Sequence, residues 1–406
     1  MHDTDPGTDG KQGGRPRAGA AAPRRNPKTG KWDFIVDIGH DPATGKRRQV
    51  RKRGYRTKAE AQAALNALRN DVQAQTYVPP ARQTMAEYLD EWLEAIRATV
   101  EPSTHESYSR VVRTNVKPYI GDVQLQRLDA LTLNRLYGEL RQRLSVRSVR
   151  YAHAILHRAL RDAVRWGRLV RNPSDASDPP RARDARAPEM RTWSASDLAR
   201  FLGAEHGSRY RTAWLTLATT GMRRGELLGL RWGDVDFENG RVSIRRTVSR
   251  IAHKIVVSSG TKTGKGRAVD LDATTLSELK THRARQGREQ LLLGIRPDSE
   301  TFVFCRPDGR AYDPDKFSGQ FASAIDRHAG IPKIRLHDLR HTHATLALAA
   351  GVPTKVVSER LGHASMAITA DTYSHVTASM GTDAAERVAA LIFGAPCDQT
   401  VTTSAT

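Results

Sequence analysis

Two proline-marked breaks constrain this chain more than any other feature, because they separate blocks with different hydrophobic periods. The first is Tyr77-Val78-Pro79-Pro80; the second runs from Ser174 to Pro188 and is rich in Asp, Pro, Arg and Ala. Proline fixes φ and lacks an N–H, so neither stretch continues a helix or a central strand. Before the first break the side chains partly alternate, as in strands. Between the breaks, apolar residues recur every three or four positions, as in helices. After the second break both patterns occur. The expectation is an α+β multidomain chain: a small N-terminal β-sheet-plus-helix module, an all-α helical domain, and a mainly α domain carrying a small antiparallel sheet. A length of 406 residues has room for two or three domains.

Residues 1–28 are Gly, Pro, Ala, Arg and Asp with almost no large apolar side chains, and are expected to be disordered. In the block 29–78, Trp32 to Ile38 and Lys46 to Arg53 read as strands around the turn Asp41 to Lys46. Thr57 and Glu60 make a capping box for a helix running to about Gln75. The block 82–175 holds four expected helices. The first is capped by Thr84, with Tyr88, Leu89, Trp92, Leu93 and Ile96 on one face. The second starts near Pro102 and ends near Pro118, the third spans Leu131 to Leu144, and the fourth spans Ser145 to Trp166 with Gly167 as its stop. The block 188–393 begins with a helix near Ser194, and the tail 394–406 is small and polar, so expected to be disordered.

Charge points to the partner. Lys and Arg number 65 against 44 Asp and Glu, a formal net charge of +21. Such an excess matches a polyanion, of which nucleic acid is the commonest. It is concentrated near the start: residues 11–58 hold 15 Lys/Arg and 3 Asp/Glu, a net of +12. Six of the eight residues 46–53 are cationic, namely Lys46, Arg47, Arg48, Arg51, Lys52 and Arg53. A strand bearing them could lay a basic face into a DNA groove, or could be a charged edge that resists aggregation. Arg147, Arg150 and Arg158 line the polar side of the fourth helix and suit backbone phosphates. Two cysteines cannot make a disulfide framework, so a reducing cytoplasm is expected. With neither an apolar run of 18 residues nor an apolar leader, no membrane partner and no secretory signal are expected.

The chemistry falls in three stretches. In Thr220-Gly221-Met222-Arg223-Arg224-Gly225-Glu226, glycine breaks an apolar helix and Arg223 emerges where the next one starts. A guanidinium there is placed to hold a phosphoryl oxygen, and Glu226, three residues on, is placed to orient an arginine. Strand-like runs follow at 241–244, 254–257 and 267–271. Gly260-Thr261-Lys262-Thr263-Gly264-Lys265 lies between the last two. It lacks the spacing and the following helix of a phosphate loop, and reads as a hairpin tip that presents Lys262 as proton donor or phosphate clamp, or as an ordinary turn. His337, Arg340 and His341 share one helix face at i, i+3 and i+4. Leu361-Gly362-His363 follows, and Tyr373 comes ten residues after His363. The two histidines match half of a zinc site, but Asp338 stands where a Glu is needed and an arginine between them repels a cation.

Together these stretches make the chain resemble a tyrosine recombinase of the phage-integrase type, in the form that mobile elements carry with an arm-binding domain. The resemblance implies that 29–78 binds arm-type DNA, that 82–175 binds core DNA, and that 188–393 is catalytic. It implies that Tyr373 attacks a DNA phosphodiester to form a 3′-phosphotyrosyl link. Arg223 and Arg340 would hold the phosphate, His363 would hydrogen-bond it, His337 would accept the phenol's proton, and Lys262 would protonate the leaving 5′-oxygen. Glu226 and His341 would support these groups. Neither metal nor nucleotide cofactor is implied. The expected partners are double-stranded attachment sites, further subunits in a homotetramer, and an accessory directionality factor or host DNA-bending protein. Residues 382–393 read as a short amphipathic helix, which the resemblance implies packs on a neighbouring subunit and which could equally dock on its own domain. A type IB topoisomerase, or a DNA-binding regulator with a decayed active site, are the alternatives.

Overall fold

The computed structural model describes residues 22–40, 45–74, 77–185, 190–260, 266–363, 365–373 and 392. They form two compact units, one of residues 22–99 with 107–185 and one of residues 190 onward with 100–106.

The first unit opens with an antiparallel sheet, β1 (Arg24–Arg25), β2 (Trp32–His40) and β3 (Arg47–Tyr55), in that order. β1 corrects the expected extent of disorder: Arg24 sits opposite Asp33 and Arg25 opposite Trp32. Backbone pairing, closed by a turn in which the Gly30 N–H donates to the Asn26 carbonyl, orders a segment without apolar side chains. Phe34 and Val36 turn one face of β2 onto Ala61, Leu65 and Leu68 of α1 (Lys58–Gln73). Thr57 caps α1 by accepting from the Glu60 N–H, while the Glu60 carboxylate takes the N–H of Arg56.

A helical bundle follows: α2 (Met85–Ile96), α3 (Pro102–Val111), α4 (Lys117–Ile120), α5 (Ala130–Arg141) and α6 (Val146–Arg165). Thr84 and Glu87 close a reciprocal capping box on α2. The second expected helix does not end at Pro118. A π turn at Val112–Val116 shifts the register and places Pro118 in the first turn of α4, where its missing N–H costs nothing. The buried Trp92 indole donates to Asp162 at 2.9 Å, and the Tyr88 hydroxyl to the Ala159 carbonyl, tying α2 to α6. The stretch after α6 forms short 3-10 turns at Pro173–Ala176 and Ala182–Ala185.

The second unit runs α7 (Ala195–Ala204), α8 (Arg211–Thr220), α9 (Arg224–Leu228), β4 (Val235–Asp236), β5 (Arg241–Ile244), β6 (Arg246–Ile251), β7 (Lys254–Ser259) and β8 (Arg267–Asp270). Then come α10 (Ala273–Leu292), α11 (Pro314–Arg327), α12 (Asp338–Ala349), α13 (Thr354–Leu361) and α14 (Met366–Thr372). Its core gathers Trp193, Phe201, Trp214, Phe317 and Phe321. The expected hairpin joining 254–257 to 267–271 does not form. β7 turns back on β6 through Ala252 and His253, both at positive φ, while β8 pairs with β5. Lys262 lies on the connection between the two sheets, at 261–265, outside the described residues, as do 1–21, 374–391 and 393–406. Among the described residues no helix is long and apolar enough to cross a membrane.

Leu156 is fully buried in the bundle core. Leu156→Ala should lower the denaturant stability of the first unit by about 2–5 kcal/mol, from lost transfer energy and the cavity left behind. A loss below about 1 kcal/mol would place that side chain outside the core.

Candidate active site

Arg223 enters the site through a glycine. Gly221 ends α8 in the left-handed conformation at φ 64°, and a Cβ there would meet His343 Cδ2 at 2.6 Å. Both backbone and space therefore demand glycine. Two residues later Arg223 caps α9. Its N–H donates to Glu226 Oε2 at 2.9 Å, its Nη1 to Glu226 Oε1 at 2.8 Å, and its Nη2 to the Gly362 carbonyl at 3.1 Å. Arg224 turns away, donating to the Pro314 carbonyl and Ser318 Oγ.

Glu226 is only 3% exposed and holds a second guanidinium. Arg267, the first residue of β8, meets it at 3.0 Å and 2.7 Å in a two-pronged pair, and its Nε donates to the Arg360 carbonyl. Burial pushes the Glu226 carboxyl up, but the hydrogen bonds and charge of Arg267, with those of Arg223, win and hold it at about 2. Its folded value thus lies below the unfolded one, near 4.3. The stabilisation is complete above the unfolded value and is lost as pH falls through about 2. No motif marked Arg267. It stood in a run read only as a strand, and nothing in the spacing tied it to Glu226.

Arg340, on α12, is 4% exposed and donates from Nη1 to the Gly221 carbonyl at 2.7 Å. Burial, then the neighbouring Arg223, lowers its pKa to about 10, which leaves it charged at neutral pH. Gly362 ends α13 in the left-handed conformation and sends the chain into His363. His363 Nδ1 lies 2.7 Å from Thr369 Oγ1 of α14. Burial and the charges of Arg340 and Arg223 bring its pKa down to about 4, so the ring is neutral at pH 7.

Tyr373 caps the C-terminal end of α14 and is 1% exposed. Its hydroxyl lies 2.7 Å from His341 Nδ1. Burial pushes the phenol up to about 12, with Arg340 pulling the other way. The His337 ring stands edge-to-face with that of His341, centroids 5.2 Å apart, and the residue is exposed. Desolvation, then His341 and Arg340, lowers its pKa. Among the described residues no hydrogen bond joins the His337 side chain to the phenol, although the resemblance assigned it the phenol's proton. Arg223, Glu226, Arg340, His341, His363 and Tyr373 are thus brought into one unit, with Arg267 added. Among the described residues no group of three or more His, Cys, Asp and Glu gathers to hold a metal.

The cations expected to meet DNA fall into different settings. On β3, Arg51 faces Ile35 and Gln49 faces Asp37 on the sheet side away from α1, whereas Lys52 pairs with Phe34 on the α1 side. Arg47 forms an ion pair with Asp37, and Lys46, Arg48 and Arg53 are exposed. Arg147 is exposed; Arg150 donates to the Pro180 carbonyl, and Arg158 reaches the Tyr108 hydroxyl at 3.3 Å and lies over its ring.

Known proteins match this architecture block by block. Residues 24–72 match the arm DNA-binding domain, 84–141 the N-terminal SAM-like domain of phage integrases, and 193–380 the phage integrase family. The chain belongs to the phage integrase family, and is a tyrosine recombinase that cleaves and religates DNA. It is 29% identical to a tyrosine recombinase XerC-like protein of Caldanaerobacter subterraneus subsp. tengcongensis, over 88% of this chain and 96% of the relative. The fold resembles that of the Tn1549 transposon integrase in complex with transposon right end DNA. That likeness has a TM-score of 0.62 at 19% identity, over 74% of this chain and 99% of the other. It also resembles a lambda integrase tetramer bound to a Holliday junction, with a TM-score of 0.55 at 17% identity, over 85% and 96%.

Arg267→Ala leaves Glu226 with one guanidinium instead of two. The expected loss is about 1.5–3 kcal/mol of denaturant stability in the catalytic unit, the range for a hydrogen bond to a charged group. In the Glu226→Gln background the same change should cost clearly less. Equal costs in both backgrounds would mean that the pair does not couple.

Proposed function

We propose that this chain is the site-specific integrase of a phage or other mobile element, joining element and host DNA at paired attachment sites. The observation that carries this reading is the delivery of the Tyr373 phenol, by its own chain, to the cluster that fixes Arg223 and Arg340. Two guanidinia can pair with the non-bridging oxygens of one phosphodiester as charge builds on them. A neutral His363 adds a hydrogen bond without adding charge. The Tyr373 oxygen attacks phosphorus and the 5′-oxygen leaves with a proton from Lys262. The 3′-phosphotyrosyl bond keeps the phosphodiester's energy, so the 5′-hydroxyl of a partner strand can reverse the step without ATP.

The N-terminal modules serve targeting in this reading. Arg48, Arg51 and Arg53, with Lys46, Arg47 and Lys52, bind arm-type sites, and Arg147 contacts core-site phosphate. Arg150 and Arg158 join it only by giving up their present partners. The assembly is a tetramer on two duplexes, a reading supported by the lambda integrase tetramer. Directionality factors or host DNA-bending proteins act on that assembly. The site of action is the bacterial cytoplasm, on the nucleoid.

On a nicked, site-bearing duplex the full chain should trap as a covalent adduct, and Tyr373→Phe should bind but leave none. An adduct with the Phe variant would place the nucleophile elsewhere. Lys262→Ala should slow cleavage roughly 10²–10⁴-fold, the range for one general acid. A 5′-bridging phosphorothiolate, whose sulfur leaves without a proton, should restore the rate. Unchanged cleavage, or no restoration, would remove Lys262 from that role. Deleting residues 1–78 should abolish binding to distal arm sites and spare the core site; unchanged arm affinity would contradict the targeting role.

A further inference from the structure

The tyrosine of this site already has a proton acceptor against it, and it is not the histidine that the resemblance assigned. His341 lies in the first turn of α12, four residues beyond its N-cap His337, with its Nδ1 2.7 Å from the Tyr373 hydroxyl. The phenol is shut off from bulk water, at 1% exposure, so no solvent base reaches it. His337 touches the His341 ring edge to face but shows no hydrogen bond to the phenol among the described residues. A phenol near neutral pH is almost entirely protonated, and burial makes its ionisation harder still. Whatever group takes the proton must lie within hydrogen-bond reach of it.

We propose that His341 is a catalytic residue, the general base that takes the Tyr373 proton during strand cleavage and returns it during religation. This rests on Tyr373 being the nucleophile. In cleavage the Oη–P bond forms as the P–O5′ bond breaks, the phenol's proton passes to His341 Nδ1, and the O5′ electron pair takes a proton from the general acid. No electrons enter or leave. Religation runs the same transfers backwards: imidazolium returns its proton as Oη departs. His337 is thereby left free to face the phosphate from the open side of the cluster.

The surroundings of His341 suit a base that starts neutral. Desolvation by burial lowers its pKa, Asp338 opposes that, and Arg340 and Arg335 add to it. His337, His363 and Tyr373 also face the ring, and none of them brings a negative charge at neutral pH. With the tautomeric proton on Nε2, Nδ1 presents its lone pair to the phenol. Asp338 lies one helical step behind, held by Arg335, and can steady the imidazolium once it forms.

The test uses the full chain and a nicked duplex bearing its site, with covalent-adduct formation as the readout. His341→Asn keeps an oxygen acceptor near the Nδ1 position but cannot take a proton. At pH 7 it should form adduct roughly 10²–10⁴-fold more slowly, the range for one general base, with DNA affinity unchanged. Its rate should climb steadily with pH, since phenolate is then needed, whereas the wild-type rate should be flat through neutral pH. Trifluorotyrosine at position 373, a far more acidic phenol, should recover most of the loss in His341→Asn and little in His337→Asn. Normal or faster cleavage by His341→Asn would overturn the proposal, the faster case making the bond a restraint on Tyr373. A loss that neither pH nor the acidic phenol recovers would also overturn it, since a purely structural role behaves so. An adduct that survives Tyr373→Phe is a different failure, that of the nucleophile itself.

Discussion

One buried carboxylate holds the candidate active site together. Glu226 takes Arg223 on one side and Arg267 on the other, and each arginine also grips a main-chain carbonyl at the end of α13, Gly362 or Arg360. Burying a single carboxylate is costly, and burying two arginines beside a third is worse. Shared, the three groups satisfy one another and fix the geometry of a cation cluster before DNA arrives. A preorganised cluster stabilises developing charge without reorganising at the moment of reaction. Because Glu226 stays ionised down to about pH 2, the clamp does not loosen at any physiological pH.

Around that clamp, segments distant in sequence meet through two left-handed glycines. Gly221 lets α8 stop against α12 and offers its carbonyl to Arg340; Gly362 stops α13 and aims His363. At Gly362 a Cβ would come within 2.8 Å of Arg267, so the same glycine that turns the chain makes room for the clamp. The electrostatics then divide the labour. The guanidinia remain charged, whereas burial and their positive field keep His363 neutral. The cluster therefore keeps its positive charge on arginines while the imidazole beside them carries none.

Much of this was legible in the sequence, because it rested on local rules. Period and proline breaks gave the three blocks; Thr84 and Ser145 marked helix starts that the structure keeps. The spacing of His337, Arg340 and His341 at i, i+3 and i+4 placed the arginine and the second histidine each about one turn beyond the first histidine. What escaped was non-local. Arg267 belongs to the site through an ion pair across 41 residues, which no periodicity encodes. β7 and β8 read as one hairpin because each is strand-like and a glycine-rich run joins them. Pairing was instead decided by β6 and β5, whose partners only the folded chain reveals. The edge strand β1 escaped for the opposite reason: it is held by backbone bonds and leaves no side-chain signature. His341 was read as a supporting group because spacing gives a face and not the atom it touches.

The central claim is that a tyrosine delivered in cis to this clamped cluster attacks the DNA phosphate. It is tested most directly by mapping the bond itself. Protein trapped on a nicked, site-bearing duplex is digested with protease and nuclease, and the nucleotide-bearing peptide is sequenced by mass spectrometry. The expected result is a single modified peptide with the 3′-phosphate on Tyr373. A modified residue other than Tyr373, or a link to a 5′-phosphate, would contradict it.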